Sequence, residues 1–142
     1  MLNKKSEANL EIAKLCLEKE DENFFSIGVS RAYYAIFQAA KNVLVKNSFD
    51  YKQFKLNEPR VRKQMDYAHG SISIALAYFL LNSGFNSQDD LKFIDDMYST
   101  FNKLYNLRRE GDYEEIVISK KNLKNAIEIA EMFINKLKRY NN

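Results

Sequence analysis

The chain has 142 residues, 46% hydrophobic and 29% charged, with a net charge of +3. That length suits a single domain over residues 1–142 with a core of its own, and the near-balanced charge supplies no global field for nucleic acid. One cysteine, Cys16, and one histidine, His69, exclude an internal disulfide and the usual multi-Cys/His zinc sites, and no apolar run is long enough to span a membrane.

The opening, Met1 to Glu7, is charged and lacks the apolar centre of an export signal, so the expectation is a cytoplasmic protein without membrane contact. Leu10, Ala13 and Leu17 at helical spacing predict a first helix over about 6–20, with Cys16 as a small packed residue. The charged run Glu18 to Glu22 closes it. The longest helix is predicted over about 24–46. Its core stripe is Val29, Tyr33, Ile36, Phe37, Ala40, Val43 and Leu44, with Arg31, Tyr34 and Gln38 on the opposite side. Such an Arg-Tyr face suits a subunit interface or plain helix packing.

From Asn47 to about Pro59 the pattern breaks and predicts a loop. A short helix near 59–67 and another from about 70 to 81 follow, separated where His69-Gly70-Ser71 interrupts the period. Asn82-Ser83-Gly84 is a stop, Gly84 being suited to a left-handed cap. Ser87 and Asp90 match a capping box before Leu91, Ile94, Met97, Tyr98, Phe101, Leu104 and Tyr105, a helix with a plausible end at Glu110-Gly111. The last helix is predicted from near Ser119, with Leu123, Ala126, Ile127, Ala130, Phe133, Ile134 and Leu137 on one face. No alternating strand pattern occurs. The fold class is therefore all-α: an up-and-down four-helix bundle with an extra short helix.

Three groups of residues are candidates for chemistry. Extending the stripe of Phe101, Leu104 and Tyr105 by one helical step lands on Arg108, and Asp112 four residues on is its obvious partner, by an ion pair or as a cap of the turn. His69 is the one side chain that titrates near neutrality without a large shift, and a helix starting at Gly70 would favour a phosphate there. Lys52, Lys55, Arg60, Arg62 and Lys63 against Glu58 form a basic stretch suited to phosphates or to a solvated face. Phosphate-binding glycine loops, nucleophile elbows and zinc-protease signatures are absent.

Two segments, Ser30-Arg31-Ala32-Tyr33-Tyr34-Ala35-Ile36-Phe37-Gln38-Ala39-Ala40 and Leu107-Arg108-Arg109-Glu110-Gly111-Asp112-Tyr113, together resemble the HEPN family of small bacterial and archaeal helical domains. The resemblance runs from about Ser30 to the last helix. It implies a HEPN-like helical domain that works as a nucleotide- or RNA-associated effector or binding component of a toxin–antitoxin or defence module. It also implies a homodimer with the late motif at its cleft and a small nucleotidyltransferase as partner protein. No cofactor or metal is implied.

HEPN ribonucleases share Arg-x(4–6)-His at the end of a late helix, the Arg stabilising phosphate charge and the His moving a proton. Here the motif begins at Arg108, but Asp112-Tyr113 stand where the His would be, as in a subgroup with Arg-x-x-x-Asp-Tyr. Many relatives carry a His where Gln38 stands, and Arg62 with His69 formally fits the same spacing in mid-chain. The catalytic candidates are His69, Arg108 and Asp112; the binding candidates are Arg31, Tyr34, Gln38 and Tyr113 from the two segments, and Arg62 and Lys63 from the basic stretch. A metal-independent endoribonuclease toxin is the second reading, with His69 as proton carrier and Arg108 or Arg31 on the phosphate. A non-catalytic helical adaptor is the third.

Overall fold

The computed structural model describes residues 2–113 and 117–140, with side chains described over 4–111 and 117–140. Among the described residues six α-helices follow one another: α1 (Leu2–Glu18), α2 (Glu22–Lys46), α3 (Tyr51–Asn57), α4 (Ile72–Asn82), α5 (Gln88–Tyr113) and α6 (Lys120–Leu137). Single 3-10 turns lie at Pro59–Val61 and Lys138–Tyr140, and the described residues contain no strand. The all-α bundle expected from the sequence is what forms.

α2 is the axis of the bundle because it is apolar on most of its circumference. Its buried residues include Val29, Ala32, Tyr33, Ile36, Ala40 and Leu44, and α1, α4, α5 and α6 all pack on it. Small residues at 32, 35, 39 and 40 let neighbouring backbones come close, so that Ser6 of α1 donates a buried hydrogen bond to the carbonyl of Ala35 at 2.8 Å. α6 starts where expected. Ser119 Oγ accepts from Asn122 N at 3.1 Å, Asn122 Oδ1 accepts from Ser119 N at 3.3 Å, and the stripe from Leu123 to Leu137 is buried except for the half-buried Ile134.

The Ser87–Asp90 box also forms, with Asp90 N donating to Ser87 Oγ at 3.1 Å and Ser87 N donating to Asp90 Oδ2 at 3.2 Å. Asp90 is buried, and the Tyr140 hydroxyl donates to its other oxygen at 2.5 Å, which holds the carboxyl below its ordinary value.

Three expectations need correction. The segment 47–59 is not simply a loop, because Asp50 caps a short helix, α3, that buries Tyr51 and Phe54. Seven residues with two anchors are too short to display a helical period. The helix expected near 59–67 is only the 3-10 turn after Pro59, followed by irregular turns up to Ser71. Finally, Glu110-Gly111 does not stop α5, which runs on to Tyr113. Gly111 instead marks a close approach: a Cβ there would lie 2.9 Å from Ser26 Cβ and 3.0 Å from Ile118 Cγ1. The stop at Gly84 does use a positive φ, of 85°.

α3 matters because it holds the turns that precede α4. Tyr51 Oη lies 2.6 Å from Ser71 Oγ in a buried hydrogen bond, and Lys55 Nζ pairs with Asp66 at 3.0 Å. Tyr51→Phe removes the first link while Ser71 keeps its contact with the Ala68 carbonyl at 3.3 Å. Urea denaturation of this variant should give an unfolding free energy lower by about 0.5–1.5 kcal/mol.

Candidate functional site

Tyr33 is a member of the α2 core stripe, 1% exposed, yet it carries a hydroxyl that needs a partner. The partner is the lone histidine. Tyr33 Oη and His69 Nδ1 are 2.6 Å apart, and the His69 ring packs among Tyr33, Tyr34, Phe37 and Tyr105 with centroid separations of 5.1–6.0 Å. His69 as a residue nonetheless remains exposed to solvent. His69 is delivered by the turns after Pro59, in which Tyr67 adopts a positive φ of 58°, uncommon for a bulky residue and placed two residues before the histidine.

Arg108 arrives from α5. Its guanidinium carbon sits 5.0 Å from the centroid of the Tyr34 ring and 5.8 Å from that of Tyr33, so the cation rests on the two rings that also pack on His69. Arg108 is half-buried. Its charge and the partial burial of the imidazole act together on His69, burial being the larger cause, and hold its pKa below the ordinary 6.5. His69 is thus a neutral imidazole at pH 7. Burial likewise raises the Tyr33 phenol, which keeps its proton. A cavity of about 330 Å³ opens beside His69 and Tyr33, with Tyr98, Phe101, Asn102 and Tyr105 of α5 on its wall.

This arrangement joins residues far apart in sequence. His69 and Arg108 share one site with Tyr34. Arg31 does not point there: it is exposed and donates to Asn9 Oδ1 of α1 at 3.2 Å. Tyr34 and Gln38 are half-buried rather than on an outer face, and Gln38 Oε1 is buried without a hydrogen-bond partner among the described residues. The basic stretch is largely engaged. Lys55 pairs with Asp66, Arg60 pairs with Glu58 at 2.6 Å, and Arg62 donates to the Leu56 carbonyl at 3.4 Å, leaving Lys52 and Lys63 exposed. α4 begins at Ile72 rather than Gly70, and the N–H groups of Ser71 and Ile72 are spent on the Ala68 carbonyl at 3.1 and 3.0 Å, so they offer no phosphate cradle. The side chains of Asp112 and Tyr113 lie outside the described residues.

Two site residues were hidden in the sequence. Tyr33 reads as core by period alone, although a tyrosine amid a fully apolar stripe signals a buried hydroxyl seeking a polar partner. Tyr105 reads as core in the same way. Among the described residues no three His, Cys, Asp or Glu side chains gather as a metal cluster, and no helix is long and apolar enough to cross a membrane.

The fall in the His69 pKa has a consequence for stability. The folded value lies below the unfolded 6.5, so between the two the unfolded chain binds more protons. This contribution is complete above pH 6.5 and is lost as the pH falls through the folded value. Denaturation curves taken from pH 7 down to pH 5 should show falling stability, and His69→Gln should flatten that stretch of the profile. Losses from Asp90 and Glu58, whose pKa values lie below 3.8 and 4.5, should remain at lower pH.

No protein-family model matches the chain. It is similar to a protein of Methanocaldococcus jannaschii named "Putative toxin MJ0605", with 27% identity over 135 residues, which cover 94% of this chain and 81% of the relative. The chain thus resembles a protein named as a toxin over nearly its whole length.

Proposed function

We propose that this chain is a HEPN-like effector of a toxin–antitoxin or defence module, and that its working site is the His69–Arg108 cleft acting on RNA. The observation that carries the reading is spatial. The late-helix Arg108 has no His after it, yet a histidine from the turns before α4 packs on the same two tyrosines as that arginine. The toxin-named relative supports the wider class.

The chemistry is metal-independent phosphodiester cleavage. The ribose 2′-oxygen attacks phosphorus, its proton passes to Nε2 of His69, and the bond from phosphorus to the 5′-oxygen breaks. The departing 5′-oxygen takes a proton from the imidazolium or from water, leaving a 2′,3′-cyclic phosphate. Arg108 offsets the charge that builds on the phosphate oxygens. For Nε2 to accept a proton, Nδ1 must carry the hydrogen and donate to Tyr33 Oη.

The same hydrogen bond favours a second reading. If the Tyr33 phenol donates to Nδ1, Nε2 carries the hydrogen and His69 is a donor to a bound phosphate, which makes a binding component without cleavage. Nitrogen-15 chemical shifts of the two imidazole nitrogens distinguish the tautomers. The direct test of function is expression of the chain alone in a bacterium. Growth arrest with fragmented total RNA supports the ribonuclease; intact RNA and normal growth contradict it.

Two copies forming a symmetric dimer, with the Arg108 regions facing each other, and a small nucleotidyltransferase as restraining partner complete the reading. Light scattering at micromolar concentration should return about twice the 16.7 kDa chain mass, and a clean monomer would refute the dimer.

A further inference from the structure

The cavity beside His69 is lined without a single Lys, Arg, Asp or Glu among the described residues. Apart from His69, its lining offers a ligand neutral polar groups and rings rather than charges. Its wall combines rings with carboxamides. Tyr98, Asn102 and Tyr105 stand on one face of α5 at i, i+4 and i+7, and the next step on that side of the helix is Arg108.

Tyr98 differs from the other rings of the cavity. Tyr33, Phe101 and Tyr105 are engaged in ring contacts, whereas Tyr98 is 60% exposed and has no ring partner among the described residues. The amides of Gln64 and Asn102 are also unspent. Neither side chain makes a hydrogen bond among the described residues, unlike those of Asn9, Asn57 and Asn82. Gln64 is nonetheless placed. Its Oε1 lies 2.5 Å from where a Cβ of residue 70 would stand, so the bare Gly70 makes room for the carboxamide.

A flat, neutral ligand with donors and acceptors along its edge meets all these features. An exposed ring gives it a stacking face, and carboxamides both donate and accept toward its edge. A volume of about 330 Å³ suits a small organic group rather than a lone ion. We propose that this cavity is a nucleobase seat, in which a base stacks on Tyr98 and is hydrogen-bonded by Asn102 and Gln64. The assignment rests on the reading of the neighbouring cleft only in that the attached phosphate would reach Arg108 and His69.

The test is titration of isotope-labelled protein with each free ribonucleoside and, separately, with ribose 5-phosphate, followed by NMR. Nucleosides should move the Tyr98 and Asn102 signals at millimolar concentration, and ribose 5-phosphate should leave them in place. Tyr98→Ala should weaken nucleoside binding by about 5- to 100-fold, the worth of one base–ring stack. Tyr98→Phe, which keeps the ring, should retain it, and Asn102→Ala should lessen discrimination among the four bases. Nucleosides that leave the wall unmoved, or bind Tyr98→Ala as well as the wild type, would overturn the seat. RNA cleavage without nucleoside binding removes the seat and leaves the cleft reading standing; nucleoside binding without cleavage does the reverse.

Discussion

Replacing His69 with alanine should lower RNA cleavage by about 10²–10⁴-fold, the usual worth of general acid–base catalysis, while the helical fold stays in place. The fold should survive because His69 lies outside the helices and is an exposed residue. What is lost is a neutral imidazole, held below pKa 6.5 by burial and by Arg108, at the mouth of the cavity. Loss of the ring also removes the hydrogen-bond partner of Tyr33 Oη, so a modest fall in stability should accompany the loss of activity. Circular dichroism and single-turnover cleavage of the same preparation separate the two effects. Full activity in His69→Ala would place the proton carrier elsewhere.

Arg108→Ala should act on two observables at once. Cleavage should fall by about 10²–10³-fold, because a preorganised cation at the developing phosphate charge is gone. The pKa of His69 should rise, because the positive charge that disfavours the imidazolium is gone. The acidic limb of the pH–rate profile should therefore move upward, and NMR titration of the imidazole should show the same direction without any substrate. Arg108→Lys should rescue only in part, since a flexible ammonium does not reproduce a planar guanidinium resting on Tyr34 and Tyr33. An unmoved His69 titration in Arg108→Ala would show that the two groups do not share a site.

Most of the bundle was legible because its helices are long and amphipathic. The stripe of α6 from Leu123 to Leu137 and its Ser119 cap are local signals that the chain obeys. So is the reciprocal box of Ser87 and Asp90. What escaped was short or non-local. α3 has two buried anchors, Tyr51 and Phe54, and no room for a period. Gly111 looks like a helix stop, but its reason for being glycine is Ser26, far away in sequence. In the candidate site, the inward position of Arg108 was readable from the apolar stripe it closes. Its meeting with His69 was not, because their proximity depends on turns that α3 holds through Tyr51 and Ser71. Arg31 shows the converse. It shares a helical face with Tyr34 by spacing, yet it reaches Asn9 of α1.

In the proposed function the histidine before α4 and the arginine of α5 form one RNA-cleaving site that needs no metal. The most direct measurement is incubation of the purified chain with a mixed RNA in EDTA, with phosphorus-31 NMR of the product ends. The chain should yield 2′,3′-cyclic phosphate ends that form undiminished in EDTA and disappear in both His69→Ala and Arg108→Ala. Intact RNA, or fragments that form only when divalent metal is supplied, would contradict it.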